Sequence, residues 1–347
     1  MKNNPFTLDF GAEPGLYIPR ISEYNKMIDT FESEEPSSHI FILTGVRGSG
    51  KTVLMTTVSH KLCEDSRWMH VDLNTEGNML EQLAADIYKT TKAKLPKVKL
   101  EINVKGLGIT VDRNEKYQNI QTDLDQMIET LKKHKMKLLI TIDEASNCKD
   151  LREFTNYYQH CIREKLPVYL IMTGLYKNIR ALQNNRTQTF LRRAPRIDLG
   201  ALNNTRISLK YAEVFGAKPD MADRMARLTL GYSYAFQMLG YLVYESGSKE
   251  LTDEIITEYK LNLEECSYDK IWEELSAGER RVASAIAGLE ANVTVKEVRG
   301  VLGIDSNSFS TYQDSLAKCG ILSKESSYGR LNFALPFFKE YAINHVE

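Results

Sequence analysis

Eight consecutive residues, Gly45-Val46-Arg47-Gly48-Ser49-Gly50-Lys51-Thr52, fit the spacing G-x-x-x-x-G-K-[ST]. The residue types suit one chemistry. Glycines let backbone N–H groups turn inward around an anion without side-chain clashes. A helix that starts at the end of such a loop adds the positive end of its dipole. The lysine then reaches the β- and γ-phosphates of a nucleotide, and the Thr52 hydroxyl suits a bound Mg²⁺. Gly45, Val46, Arg47, Gly48, Ser49, Gly50, Lys51, Thr52 and Val53 are therefore the candidate nucleotide-binding residues.

A second cluster stands about ninety residues on. Leu138-Leu139-Ile140-Thr141-Ile142 is an apolar run that ends in two carboxylates, Asp143 and Glu144. Ligands gather at the carboxyl ends of strands in a parallel sheet. Asp143 is the candidate Mg²⁺ residue beside Thr52, and Glu144 the candidate for orienting and activating an attacking water. A third run, 168–172, ends in the polar Thr173, which could bond the water or the γ-phosphate.

These residues need a scaffold, and the pattern supplies one. Five short apolar runs, 40–43, 68–73, 138–142, 168–172 and 197–199, read as strands buried on both faces. Between them apolar residues recur at helical spacing, as in Leu80, Leu83, Ile87 and in Ile120, Leu124, Ile128, Leu131. The phosphate loop follows the first strand and precedes a helical stretch, which is the context the motif requires. Alternation of strand and helix predicts an α/β fold, a parallel-sheet P-loop NTPase core. An acidic pair closing its strand, with Glu directly after Asp, belongs to the additional-strand branch of such cores. There the strand between the two motif strands comes from later in the chain, and 168–173 is the candidate.

Outside the core the pattern changes. Residues 97–111 alternate strictly around Gly106, which predicts an inserted β-hairpin with Lys97, Lys99 and Lys105 on its outer face. Residues 3–20, with Pro5, Pro14 and Pro19, read as an arm lying on the first domain. After Leu202 the strand signals stop, and 204–263 reads as several short helices. The tail then reads helix, helix, helix, hairpin, with Asp305 or Ser306 capping the third helix, which is the order of a winged helix-turn-helix. The predicted domains are 1–202, the ATPase domain with its hairpin at about 97–111; 203–265, helical; and 266–347, winged helix.

The 347 residues suit two or three domains. Lys plus Arg number 45 against 46 Asp plus Glu, a net charge of −1, which excludes a strongly basic nucleic-acid-coating protein but allows a local basic patch. Five cysteines, none in C-x-x-C spacing, argue against a disulfide framework or zinc module and for reduced thiols in a cytoplasmic protein. No secretory leader is visible. The longest lipid-like stretch, near 235–244, is too short to span a bilayer.

Together, glycine loop, Asp-Glu strand, polar strand end, helical segment and winged tail resemble the AAA+ type ATPases, in the prokaryotic branch near the origin-recognition initiators and the signal-transduction ATPases with numerous domains. The resemblance runs from about Ile18 to Phe338. It implies an ATPase using ATP and Mg²⁺, with 203–265 as a lid. It puts Thr173 at the sensor 1 position and makes Arg192 or Arg193, in Phe190-Leu191-Arg192-Arg193-Ala194-Pro195, an arginine finger acting on a neighbouring subunit. Ile18 and Pro19 fall where relatives contact adenine. Gly231-Tyr232-Ser233-Tyr234 falls where relatives carry a Gly-x-Pro motif or a sensor 2 arginine; Ser233 replaces the proline and no arginine follows.

The tail leaves two targets open. From 268 to 347 it carries 9 Lys plus Arg and 11 Asp plus Glu, a net of −2. Its third helix offers Ser306, Asn307, Ser308, Ser310, Thr311 and Gln313 for base edges, with Lys318, Lys324 and Arg330 for phosphate. Duplex DNA through 306–330 is one reading. The other is a signalling or regulatory ATPase whose winged helix meets a protein, including a second copy of the chain.

Overall fold

A computed structural model describes residues 3–8, 14–94, 120–216, 219–248, 250–290, 293–323 and 329–345. The predicted hairpin at 97–111, with Lys97, Lys99 and Lys105, lies outside the described residues, as do Lys324 and Tyr328. The chain divides into two compact units. One holds 21–44 and 54–198; the other holds 1–20, 45–53 and 199–347.

The first unit is built on five strands: β1 Ile40–Thr44, β2 Trp68–Asp72, β3 Lys137–Ile142, β4 Val168–Gly174 and β5 Arg196–Asp198. All pair in parallel, in the order β2-β3-β4-β1-β5. The late strand β4 lies between the two motif strands, as the additional-strand reading expects. Its register sets Thr173 opposite Leu43 of β1, and Met172 opposite Ile142 of β3. Strands β1, β3 and β4 are almost wholly buried because helices cover both faces, so their sequences are unbroken apolar runs.

Helix α1 Ile21–Glu32 precedes the first strand, and five helices lie between the strands: α2 Lys51–Cys63, α3 Met79–Lys94, α4 Ile120–Lys133, α5 Lys149–Arg163 and α6 Tyr176–Asn184. The periodic residues Leu80, Leu83, Ile87, Leu124, Ile128 and Leu131 form one core with the sheet. At the sheet's amino end Phe31 packs on Phe41 and Tyr169 at centroid distances of 5.3 and 5.1 Å.

The second unit is helical beyond the phosphate loop: α7 Asn204–Phe215, α8 Pro219–Thr229, α9 Ser233–Ser246, α10 Asp253–Leu263, α11 Asp269–Glu273, α12 Ala277–Gly288, α13 Val295–Leu302, α14 Ser306–Lys318 and α15 Phe338–Asn344. One continuous apolar core runs through it. The amino-terminal arm packs here, on α9, rather than on the sheet-bearing unit. Phe6 is buried against Tyr211, Phe215 and Phe236, and Thr7 N–H donates to Gln237 Oε1. Helices α10 and α11 are joined by a π-helical turn, Glu264–Tyr268, in which Asp269 N–H reaches Glu264 O five residues back.

The tail's helix starts are set by side chains. Ser276 with Glu279, and Thr294 with Glu297, form capping boxes on α12 and α13, and Asp305 accepts from Asn307 and Ser308 N–H on α14. Two antiparallel bridges pair Thr294, the N-cap of α13, with Arg330, and Leu322 with Phe333. All five cysteines are free. Among the described residues no helix is long and apolar enough to cross a membrane.

Candidate active site

The loop from Gly45 to Gly50 begins directly after β1 and ends at the first residue of α2. Gly48 has φ +73° and Gly50 φ +87°, backbone that residues with a side chain rarely adopt. A Cβ on Gly48 would also stand 2.5 Å from the Tyr232 hydroxyl.

Every carbonyl from Gly45 to Ser49 is engaged. Lys51 Nζ donates to Gly45 O at 3.1 Å and Val46 O at 3.0 Å. The Tyr232 hydroxyl donates to Arg47 O at 2.7 Å, and Tyr234 N–H to Gly48 O at 3.1 Å. Ser49 O accepts from Arg20 at 3.1 Å and from the Ser233 hydroxyl at 3.1 Å. These bonds fix the loop's backbone, and successive backbone amides in such a turn can form an anion nest. Burial pushes the Tyr232 phenol well above its ordinary value, so it remains a proton donor at any working pH. Among the described residues the buried Ser49 hydroxyl has no hydrogen-bond partner, and a phosphate oxygen fits that need.

Three of these clamps come from one run, Tyr232 to Tyr234. Gly231, at φ +75°, turns the chain sharply into it, and a Cβ there would meet Leu202 O at 2.5 Å. Ser233, where relatives place a proline, uses its hydroxyl on the loop instead. Arg20 also donates to Gly200 O at 2.8 Å and reaches the Ser233 hydroxyl at 3.4 Å. None of these roles is visible in the sequence. Ile18, a candidate adenine contact, is buried, while Pro19 is exposed and accepts from Arg206 at 3.3 Å.

The acidic pair stands just beyond β3. Thr173, wholly buried at the end of β4, donates its hydroxyl to Asp143 Oδ1. Glu144 N–H donates to Asp143 Oδ1 at 3.0 Å and to Thr173 Oγ1 at 3.2 Å, and Ala145 N–H to Thr173 O at 2.8 Å. Glu144 itself is exposed and has φ +50°, a left-handed backbone for a non-glycine residue. Such strain is held in place by its surroundings and concentrates at functional positions. Thr173 is thus bound to the acidic pair rather than facing outward.

The two arginines differ. Arg192 donates to Gln183 O at 3.1 Å and Asn184 Oδ1 at 2.9 Å. Arg193 is exposed and has no partner among the described residues.

Comparison with known proteins agrees with this geometry. Residues 36–182 match the AAA domain family. That segment is an AAA-type P-loop domain. The match spans β1 to α6 and so takes in the phosphate loop, the acidic pair and Thr173. Residues 266–342 match a domain of unknown function, DUF8462. No curated protein matches the chain in sequence. Among solved structures the chain is similar to the Walker-type ATPase of Pyrococcus abyssi, with 14% identity, TM-score 0.65, and 94% of this chain and 96% of that one covered. It is similar also to the ORC2 protein of Aeropyrum pernix in its ADPNP-ADP complexes, with 13% identity, TM-score 0.62, and 97% and 95% covered. Cdc6p from Pyrobaculum aerophilum follows at 15% identity, TM-score 0.50, with 97% and 96% covered. At these identities the likeness is one of fold.

Proposed function

We propose that the protein is a Mg-ATP-driven molecular switch whose carboxyl-terminal winged helix carries the output to a DNA-containing target. The observation that carries the ATP part is the loop in which each of the five carbonyls from Gly45 to Ser49 is hydrogen-bonded, which fixes its backbone. Its amides, Lys51 and the Ser49 hydroxyl bind the phosphates, and Ile18 and Pro19 contact the adenine. ATP, when bound, supplies the transferable γ-phosphoryl group. Thr52 and Asp143 hold Mg²⁺. A hard cation of this kind keeps several waters and needs only one or two protein oxygens beside the phosphates. Glu144 takes the proton of the attacking water, and Thr173 fixes the Asp143 carboxylate and the Glu144 backbone. Of the two arginines, Arg193 is the better finger, because Arg192 is already committed to Gln183 and Asn184. Its substrate would lie in a neighbouring copy, which makes the working form an oligomer. The site of action is the cytoplasm.

The winged-helix reading rests on three capped helices and two antiparallel bridges, Thr294 to Arg330 and Leu322 to Phe333. Helix α14 exposes a polar strip of Ser306, Asn307, Ser310 and Thr311, and Arg330 is exposed on the bridged segment. The module's charge of −2 favours modest affinity per copy, raised when an assembly presents several. The test is a titration of the full chain against duplex DNA at two salt concentrations, with and without Mg-ATP, alongside Lys51→Ala. The expected result is salt-sensitive binding strengthened by Mg-ATP in the wild type, and no ATP effect in Lys51→Ala. Mg-ATP turnover without salt-sensitive DNA binding would assign the switch to a protein target instead.

A further inference from the structure

The phosphate loop touches more than the lid-like helices. The Tyr232 hydroxyl that donates to Arg47 O also lies 2.7 Å from Ser267 Oγ. A phenol has one proton, and a carbonyl can only accept. The order is therefore fixed: Ser267 O–H donates to Tyr232 Oη, whose own proton goes to Arg47 O. Both hydroxyls are buried, Ser267 at 1% exposure and Tyr232 at 4%. Ser267 sits inside the π-helical turn Glu264–Tyr268 that joins α10 to α11. An isolated π turn in a helix often marks a functional position. Just after α11, Glu274 pairs with the Arg47 guanidinium at 3.2 Å. Past α14, Gly320 approaches Val46 closely enough that a Cβ would stand 3.2 Å from the valine Cβ. Three consecutive loop residues, Val46 to Gly48, thus meet Tyr232 or segments of the 266–342 domain.

We propose that Ser267 and Tyr232 form a positioning relay through which the carboxyl-terminal domain sets the phosphate loop for ATP. The inference rests on the ATP reading above. Tyr232 makes no contact with phosphate in this scheme; it acts by holding the Arg47 carbonyl, which fixes the adjoining amide. Ser267 acts through Tyr232, by occupying the phenol oxygen so that its proton stays on Arg47 O. Coupling of this kind is reciprocal: if the domain's placement tunes nucleotide affinity, nucleotide tunes the domain's placement by the same factor.

The experiment uses the full chain and a fluorescent ATP analogue with Mg²⁺, titrated against wild type, Tyr232→Phe, Ser267→Ala, Ser267→Thr and the Tyr232→Phe/Ser267→Ala double variant. Melting temperature without nucleotide is recorded for each. Tyr232→Phe should weaken binding about tenfold, the scale of one buried hydrogen bond lost with its acceptor left unpaired. Ser267→Ala should weaken it about threefold, and Ser267→Thr, which keeps the hydroxyl, should bind within twofold of wild type. The double variant should match Tyr232→Phe alone, because Ser267 has no route to the loop except through Tyr232. A second readout uses Trp272, two residues before Glu274 and one of only two tryptophans in the chain. In a Trp68→Phe background its emission should change on adding Mg-ATP, and the change should shrink with Tyr232→Phe. Wild-type affinity in both single variants, or losses that multiply in the double variant, would overturn the relay. Melting temperatures that fall with affinity intact would also overturn it, leaving these residues structural. A wild type that does not bind the analogue would instead refute the ATP reading.

Discussion

The phosphate loop and the acidic strand end are held in opposite ways. The loop's carbonyls are clamped by residues scattered along the chain, from Arg20 at one end to Tyr232, Ser233 and Tyr234 some two hundred residues later. The acidic end is held locally. Asp143 and the Glu144 backbone are fixed by Thr173, one strand away, and by each other. The first depends on the tertiary fold of the helical unit. The second depends only on the register between β3 and β4. Changes in the helical clamps should therefore appear in nucleotide affinity, and changes at the strand end in turnover.

The largest expected effect separates the two regions outright. Glu144→Gln keeps the backbone N–H that bonds Asp143 and Thr173, and removes only the proton-accepting carboxylate. Turnover should fall by about 10²-fold or more, the scale of general-base removal, while KM stays within a few-fold. Steady-state kinetics with Mg-ATP reads both. Equal turnover in variant and wild type would remove Glu144 from the chemistry.

What could be read in the sequence follows the same division. The loop's spacing, its strand and helix flanks, and the Asp-Glu strand end are local patterns, and the structure has them where they were expected. The position of β4 was legible too, because an acidic pair directly after a strand implies a later strand beside it. The clamps were not legible. Arg20 merely follows the candidate adenine contacts Ile18 and Pro19 in the sequence, and Ser233 stands where relatives place a proline. Both engage the same Ser49 carbonyl, but only the folded helical unit brings them there. The π turn at Glu264–Tyr268 leaves no mark either, since one displaced hydrogen bond hardly alters helical periodicity. The amino-terminal arm was assigned to the wrong surface because prolines announce an irregular segment without saying what it packs on. Its anchor is the fit of Phe6 against α9 and its aromatic neighbours, a property of three-dimensional shape.

A smaller effect is expected at Thr173. Its hydroxyl bonds Asp143, and its backbone carbonyl bonds Ala145 N–H, so Thr173→Val removes the first and leaves the second. Asp143 then lacks one donor and is held less firmly, with the Glu144 N–H bond remaining. Turnover should fall about tenfold with KM little changed, and Thr173→Ser should restore most of it because the hydroxyl returns. A rise in KM with normal turnover would mean that Thr173 serves the loop rather than the acidic pair.

The smallest effect sharpens the comparison from the other side. Arg20 is one of two donors on Ser49 O, so Arg20→Ala leaves the Ser233 hydroxyl in place and the carbonyl still paired. What is lost is the fork that ties Ser49 O to Gly200 O, at 3.1 and 2.8 Å, and so fixes the loop against the segment that follows β5. These bonds, to Ser49 O, Gly200 O and the Ser233 hydroxyl, all come from one nitrogen, Nη2, so a lysine ammonium can replace part of them but from a shorter side chain. Arg20→Ala should raise KM for Mg-ATP about fivefold with turnover unchanged, and Arg20→Lys should fall between the variant and wild type. The ordering matters more than the size. If Arg20→Ala lowered turnover while leaving KM alone, the helical clamps would be acting on the chemical step, and the separation between a loop that binds and a strand end that reacts would fail.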